Sequence, residues 1–161
     1  INAYTGYCLQ TLYWLSGLTC DDTNFIFKAG AFEHLARHAL QVVCPDTSPR
    51  GLGIEGEDDS YDFGSGAGFY ISATTPLYKH NYQMFDYVTQ ELPSIVEKHT
   101  PADTHKKSIF GHSMGGLGAL NCFLKTKDVY TSVSAFAPIC NPMKCPWGKK
   151  GFTGYIGEDE S

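Results

Sequence analysis

The sequence predicts an α/β domain: a mostly parallel sheet with helices on both faces. Three observations predict it. Short apolar, β-rich runs recur at 9–15, 41–44, 107–110 and 132–137, each stopped by Gly or Pro. Segments with helical periodicity separate them. The separations are too long for hairpins and suit crossovers, so the strands should run parallel.

Leu9-Gln10-Thr11-Leu12-Tyr13-Trp14-Leu15 reads as a buried strand ending at Ser16-Gly17. Asp22 or Thr23 should cap a helix running through Phe25, Phe27, Ala31, Leu35 and His38. Gln41-Val42-Val43-Cys44 is the next strand, stopped by Pro45. Residues 46–80 are rich in Gly, Asp, Ser and Pro and lack sustained periodicity. Such a long excursion inside a domain is usually functional. Asn81 should open a helix with Met84, Tyr87, Val88, Leu92, Ile95 and Val96 on one face, kinked at Pro93. Lys107–Phe110 is a strand, 115–125 a helix with small residues, and Ser132–Ala137 a strand ended by Pro138. Residues 139–161 contain Gly, Pro and Trp and read as a loop over the strand ends. In parallel sheets ligands bind beyond the C-terminal strand ends. The loops 16–20, 46–80, 111–115 and 138–150 all fall there.

Composition narrows the classes. Hydrophobic residues make up 42% and charged residues 18% of the chain, enough for a packed core and too few charges for a disordered tail. The net charge is −5 without a basic stripe, which argues against nucleic-acid binding. No apolar run reaches the roughly 18 residues of a membrane span, and no signal peptide is evident. The six cysteines sit mostly in apolar patterns and read as reduced thiols of a cytoplasmic protein. Cys140 and Cys145 lack the usual zinc spacing and a second ligand pair, so no metal and no cofactor is implied.

Gly111-His112-Ser113-Met114-Gly115 carries the chemistry. A strand before it and a helix after it turn a common five-residue pattern into a nucleophile elbow, with Ser113 exposed at a sharp turn. The same turn aims the Met114 amide at a developing oxyanion. A second amide should come from the loop after an earlier strand, and Leu18, following Gly17, is the candidate. His112 is unsuited as base, because neighbours in a tight elbow point apart. All six histidines, at 34, 38, 80, 99, 105 and 112, precede Ser113. In folds with this elbow the acid and His follow the Ser. The triad acid and His are therefore expected outside these residues. Residues 1–161 then read as one partial domain, incomplete at both ends, lacking N-terminal strands and the C-terminal acid/His portion.

Other residues carry weaker signals. Cys20 is either a pocket-facing thiol, open to modification, or a buried spectator. Trp147 is either a pocket wall or simple packing. Asp46 and Asp62 precede the Ser, the wrong order for a triad acid, and should brace the long loop. Glu55, Glu57, Asp58 and Asp59 read as a solvated face; the sharper alternatives are recognition of a cationic group or bracing by Arg50. Lys149 and Lys150 read as a surface pair.

Several blocks resemble the S-formylglutathione hydrolase (esterase D) family of α/β-hydrolases. They are Tyr13–Cys20, Pro45–Gly51, Gly64–Tyr70, Ser108–Gly116, Ser134–Pro142 and Cys145–Lys150. The resemblance runs from about residue 9 to the end and resembles an internal fragment. It implies a serine thioesterase that hydrolyses S-formylglutathione to formate and glutathione in formaldehyde detoxification, and that also cleaves simple esters. It implies Ser113 as nucleophile, Leu18 and Met114 as oxyanion amides, and Cys20 and Trp147 near the acyl pocket. The partner implied is a small glutathione thioester, and the family is often dimeric, which allows a homodimer. Two alternatives stay open: a general carboxylesterase, or a non-catalytic binding module if the native chain ends at 161. The fragment alone is expected to be inactive, since it lacks a base.

Overall fold

The computed structural model describes residues 8–158. Its centre is a four-stranded sheet in the order β2-β1-β3-β4, every pair parallel. The strands are β1 (Leu9–Leu15), β2 (Leu40–Val43), β3 (Ala102–His112) and β4 (Ser132–Phe136). Leu12 pairs with Val42 on one side and Ser108 on the other; Gly111 pairs with Leu15 and with Ala135. That register brings the C-terminal ends of β1, β3 and β4 to one level, so the loops leaving them meet.

Helices lie on both faces, as expected. On one, Trp14 packs against Phe25 of α1 (Thr23–Lys28), ring centroids 4.6 Å apart. On the other, Tyr13 meets the edge of Tyr130 at 5.5 Å. Tyr130 in turn donates a 2.6 Å hydrogen bond to the Val88 carbonyl of the long helical segment. That segment comprises α3 (Met84–Asp86), a π-turn (Tyr87–Glu91) and α4 (Leu92–His99). Pro93 was expected to kink it. The chain instead widens one turn ahead of the ring, so that the Leu92 amide bonds Tyr87 and the prolyl ring enters without breaking the helix. Pro93 has no N–H to offer, and the Val88 carbonyl takes the Tyr130 hydroxyl.

Three expectations need correcting. The single helix over 22–38 is two, α1 and α2 (Phe32–Arg37), broken at Gly30 with φ +59°. Gly favours that left-handed conformation and costs helix stability. Its start is held by Asp21, whose carboxylate accepts from the Thr23 amide (2.9 Å) and hydroxyl (2.6 Å), not by an Asp22 cap. β3 is longer than 107–110, because its polar first half, Ala102 to Lys106, is carried in by the pairing of Ala102 with Leu9.

The largest correction is in 139–161. A 3₁₀ turn (Pro142–Lys144) leads into a genuine helix, α6 (Pro146–Ile156). Pro146 opens it where no intrahelical N–H is needed. Gly148, Gly151 and Gly154 recur on one face and looked like loop residues. They are the points of closest approach: a Cβ would lie 2.3 Å from the Pro142 carbonyl oxygen, 2.6 Å from the Phe69 ring and 2.3 Å from the Phe63 ring. Tyr155 of α6 is fully buried in an aromatic cluster, stacked on Phe63 (4.7 Å) and Tyr82 (5.2 Å).

The acidic cluster also divides. Glu55, Asp58 and Asp59 are exposed, but Glu57 is buried. Its carboxylate accepts from the Tyr82 hydroxyl at 2.8 Å and the Gly53 amide at 3.1 Å. Those two donors explain how a carboxylate tolerates the interior. Arg50 does not brace this cluster; it pairs with Asp46.

Candidate active site

β3 ends at His112 and α5 (Met114–Lys125) begins one residue after Ser113. Ser113 therefore makes the whole turn by itself, at φ +56° and ψ −116°. A non-glycine residue rarely adopts this backbone, and it persists only where the surroundings enforce it. Here the Ser113 amide donates to the Phe136 carbonyl (3.0 Å), and its carbonyl accepts from the amides of Leu117 (3.1 Å) and Ile139 (3.3 Å). Two glycines let the chain pass. A Cβ on Gly111 would lie 2.3 Å from the Gly115 carbonyl oxygen, and one on Gly115 would lie 1.9 Å from that of Leu15. The Ser113 side chain is half-buried, and among the described residues its hydroxyl makes no hydrogen bond. His112 is exposed and forms no hydrogen bond to Ser113.

The loop after β1 comes up beside this turn. A Cβ on Gly17 would touch the Ser113 Cβ at 3.3 Å and His112 Nδ1 at 3.7 Å. Leu18 follows, half-buried, and among the described residues its amide donates to no protein acceptor. Met114 is the first residue of α5, where an amide has no carbonyl within the helix to bond. The helix N-terminus adds partial positive charge at that point. The loop that carries Leu18 thus lies against Ser113 at Gly17, and Met114 follows Ser113 directly, each with an amide that bonds no protein carbonyl among the described residues.

The long excursion packs against the loop after β1, where the Thr19 amide donates to the Gly66 carbonyl at 2.9 Å. Asp46 and Arg50 form a paired contact (Nε–Oδ2 2.7 Å, Nη2–Oδ1 2.8 Å), and Arg50 Nη2 also reaches the Cys20 carbonyl at 3.1 Å. The Thr47 hydroxyl donates to the same carbonyl. Asp46 therefore braces the loop that holds half-buried Cys20, as expected of it. Asp62 pairs with Lys150 of α6 at 2.6 Å, so Lys150 is a strut and Lys149 remains exposed. Lys150 holds the Asp62 carboxyl below its usual range. Trp147 stacks on Phe69 (centroids 6.4 Å apart, planes 20° apart) and is half-buried at the start of α6. The structure thus brings the Gly17–Leu18 loop to Ser113 and Met114, ties Cys20 to that loop through Gly17, Thr47 and Arg50, and places Trp147 against Phe69.

Sequence reasoning did not single out Phe69 and Tyr70. Both are fully buried, both have positive φ (50° and 52°), and the Tyr70 hydroxyl donates to the Ser16 carbonyl at 2.9 Å. The three preceding glycines at 64, 66 and 68 signal an unusual backbone there, but nothing local signals that it continues through two aromatics. Burial also sets the thiols apart: all six lie free in the described residues, and burial pushes Cys44 up to about 11 and Cys122 up to about 12.

A parallel sheet with helices on both faces and a serine at a strained strand-to-helix turn define an α/β-hydrolase. The chain belongs to the esterase family, whose model, described as "Putative esterase", matches residues 4–161. It is 59% identical over 160 residues to the S-formylglutathione hydrolase of Bos taurus, covering 99% of this chain and 56% of that protein. It is 58% identical to the S-formylglutathione hydrolase of Arabidopsis thaliana over 161 residues, with the same two coverages. Among solved structures, the S-formylglutathione hydrolase of Agrobacterium tumefaciens superposes with a TM-score of 0.91 at 42% identity, over 96% of this chain and 56% of that one. The chain thus spans about half the length of the relatives it matches. No helix among the described residues is long and apolar enough to cross a membrane.

Proposed function

We propose that this chain is the central part of a serine thioesterase that hydrolyses S-formylglutathione to formate and glutathione. The observation that carries the reading is Ser113, held at φ +56° against Gly17 of the loop after β1 and directly before the first residue of α5. The high identity to S-formylglutathione hydrolases supports the choice of substrate. Ser113 attacks the formyl carbonyl. The oxygen that becomes negative accepts hydrogen bonds from the Leu18 and Met114 amides, each such donor being worth about 2.7–4 kcal/mol of activation energy. The C–S bond then breaks and the glutathione thiol leaves. Water hydrolyses the formyl-serine ester to formate and restores the hydroxyl.

Ser113 needs a base and an orienting acid, and in this reading both come from the sequence that follows residue 161, in the order Ser, acid, His. Cys20 and Trp147 border the acyl pocket. The protein works in the cytoplasm on formaldehyde-derived thioester, without nucleic acid or membrane, and a homodimer is consistent with its family. The general match to the esterase family supports a second reading, a carboxylesterase of broader scope.

The test uses the full-length protein. Ser113→Ala should abolish turnover of S-formylglutathione and of p-nitrophenyl acetate while circular dichroism stays unchanged. Substantial turnover in that variant would remove Ser113 from the mechanism. A kcat/KM higher for the aryl ester than for the thioester would select the carboxylesterase. Residues 1–161 alone should show no turnover above their Ser113→Ala control, since general-base help worth roughly 10²–10⁴-fold is missing.

A further inference from the structure

Leu18 lies between two anchors that both come from one short stretch, Gly66–Tyr70. On its N-terminal side the Tyr70 hydroxyl donates to the Ser16 carbonyl at 2.9 Å. On its C-terminal side the Thr19 amide donates to the Gly66 carbonyl at 2.9 Å. Between the anchors sits Gly17, whose missing Cβ lets the chain pass Ser113 but also leaves the neighbouring peptides easy to rotate. If the Gly17–Leu18 peptide turned over, a carbonyl would replace the amide that faces the reacting carbonyl. The Gly17 carbonyl of that peptide takes one long bond, from the Cys20 amide at 3.3 Å, and the fixed Ser16 carbonyl and Thr19 amide on either side add to its resistance to rotation.

The route taken by Tyr70 is costly for a residue that only fills space. Phe69 and Tyr70 are consecutive aromatics with positive φ, a strained arrangement. The strain is held by packing: Phe69 lies against Trp147, Phe152 and the bare backbone of Gly151. The Tyr70 ring passes α5 at Gly118, where a Cβ would lie 2.4 Å from ring carbon Cδ2. Burial keeps the phenol protonated, so it acts as a donor at any ordinary pH. Ser16 is itself buried, and its hydroxyl is taken by the Trp14 indole at 2.8 Å.

We propose that Tyr70 is a positioning residue of the oxyanion hole: its hydroxyl fixes the Ser16 carbonyl and thereby aims the Leu18 amide at the oxygen that becomes charged above Ser113. The inference rests on the reading of Ser113 as nucleophile and Leu18 as a donor. It differs from a purely structural hydroxyl in what it changes. Its loss weakens the transition state and leaves substrate binding alone.

The experiment compares Tyr70→Phe with Tyr130→Phe in the full-length protein. Tyr130 is a buried tyrosine whose hydroxyl serves the Val88 carbonyl in the helical layer. Three quantities are read: kcat and KM for S-formylglutathione, the Ki of a trifluoromethyl ketone that adds to the serine as a tetrahedral anion, and Tm. Tyr70→Phe should lower kcat about ten- to a hundredfold, less than or equal to the loss of a whole donor, with KM within about twofold. The ketone Ki should rise by a similar factor. Tyr130→Phe should lower Tm and leave kcat and Ki within about twofold. If Tyr70→Phe loses no more kcat than Tyr130→Phe, the proposal is overturned. Should Tyr70→Phe not fold, Gly118→Ala decides, since it keeps the hydroxyl and displaces the ring: an unchanged kcat overturns the proposal, and a kcat-selective loss supports it. Ser113→Ala run alongside separates the two readings. Turnover surviving there refutes the nucleophile, whereas its loss beside an unaffected Tyr70→Phe refutes only the role of Tyr70.

Discussion

Removing one oxygen atom from α6 should destabilise the whole domain. The Tyr155 hydroxyl accepts from the Gly64 amide at 2.9 Å and donates to the Ala67 carbonyl at 3.0 Å, with all three residues buried. Tyr155→Phe keeps the ring and its stacking on Phe63 and Tyr82, so the apolar area buried is nearly unchanged. What changes is that one N–H and one C=O are stranded in the interior. Each costs about 1–3 kcal/mol, giving a sum of roughly 2–6 kcal/mol before relaxation and a working expectation of about 3 kcal/mol. Tyr130→Phe strands only the Val88 carbonyl and should cost about half as much. At roughly 2–4 °C per kcal/mol for a chain of this size, Tyr155→Phe should lower Tm by about 6–12 °C. Urea unfolding at pH 7 of both variants and the parent measures the two costs at once. A loss under about 1 kcal/mol for Tyr155→Phe, or one no larger than for Tyr130→Phe, would refute the reasoning that two stranded groups cost more than one.

Gly115→Ala would put a Cβ 1.9 Å from the Leu15 carbonyl oxygen, so β1 or α5 must shift by about 1 Å, and misplacement on that scale costs on the order of 10² in rate; kcat/KM within tenfold of the parent would argue against so tight an elbow. Iodoacetamide at pH 8 should label exposed Cys140 readily and spare Cys122, whose thiol is buried and pushed up to about 12, so that little thiolate forms; peptide mass spectrometry reads the order, and early Cys122 labelling would contradict its burial. Cys20→Ser should relieve inhibition by bulky thiol reagents, and unchanged sensitivity would place that thiol away from the pocket. The Asp62 carboxyl is lowered by Lys150, so its contribution is present above the ordinary value of 3.8 and is lost as pH falls below it; Asp62→Asn should remove part of the acid-induced loss of stability in that window, and identical curves for the two proteins would mean the pair contributes nothing.

The strand-to-helix turn at Ser113 was legible because its requirements are local. A sharp turn between a strand and a helix needs small residues at fixed offsets from the serine, and Gly111 and Gly115 meet that need in the sequence itself. The strand at 9–15 and the helix after Ser113 were legible for the same reason, since period and punctuation are properties of neighbouring residues. The excursion at 46–80 could be recognised only as irregular. Its contents, the Asp46–Arg50 brace on Cys20 and the buried Glu57, depend on partners that lie far along the chain, such as Tyr82.

The sequence by itself determined the alternation of strands and helices, the elbow and its two candidate amides, because each follows from residue size and backbone freedom within a few positions. Only the tertiary structure decided α6, the paired aromatics at 69–70 and the fate of Glu57. Three glycines within eleven residues disfavour a helix when weighed locally, yet each lies where a ring or carbonyl approaches within a distance no side chain would permit. Close packing against Phe69, Phe63 and Pro142 outweighs the propensity of the glycines. The same packing holds Phe69 and Tyr70 in a left-handed backbone that no local preference would select, and so sets the hydroxyl of Tyr70 against Ser16.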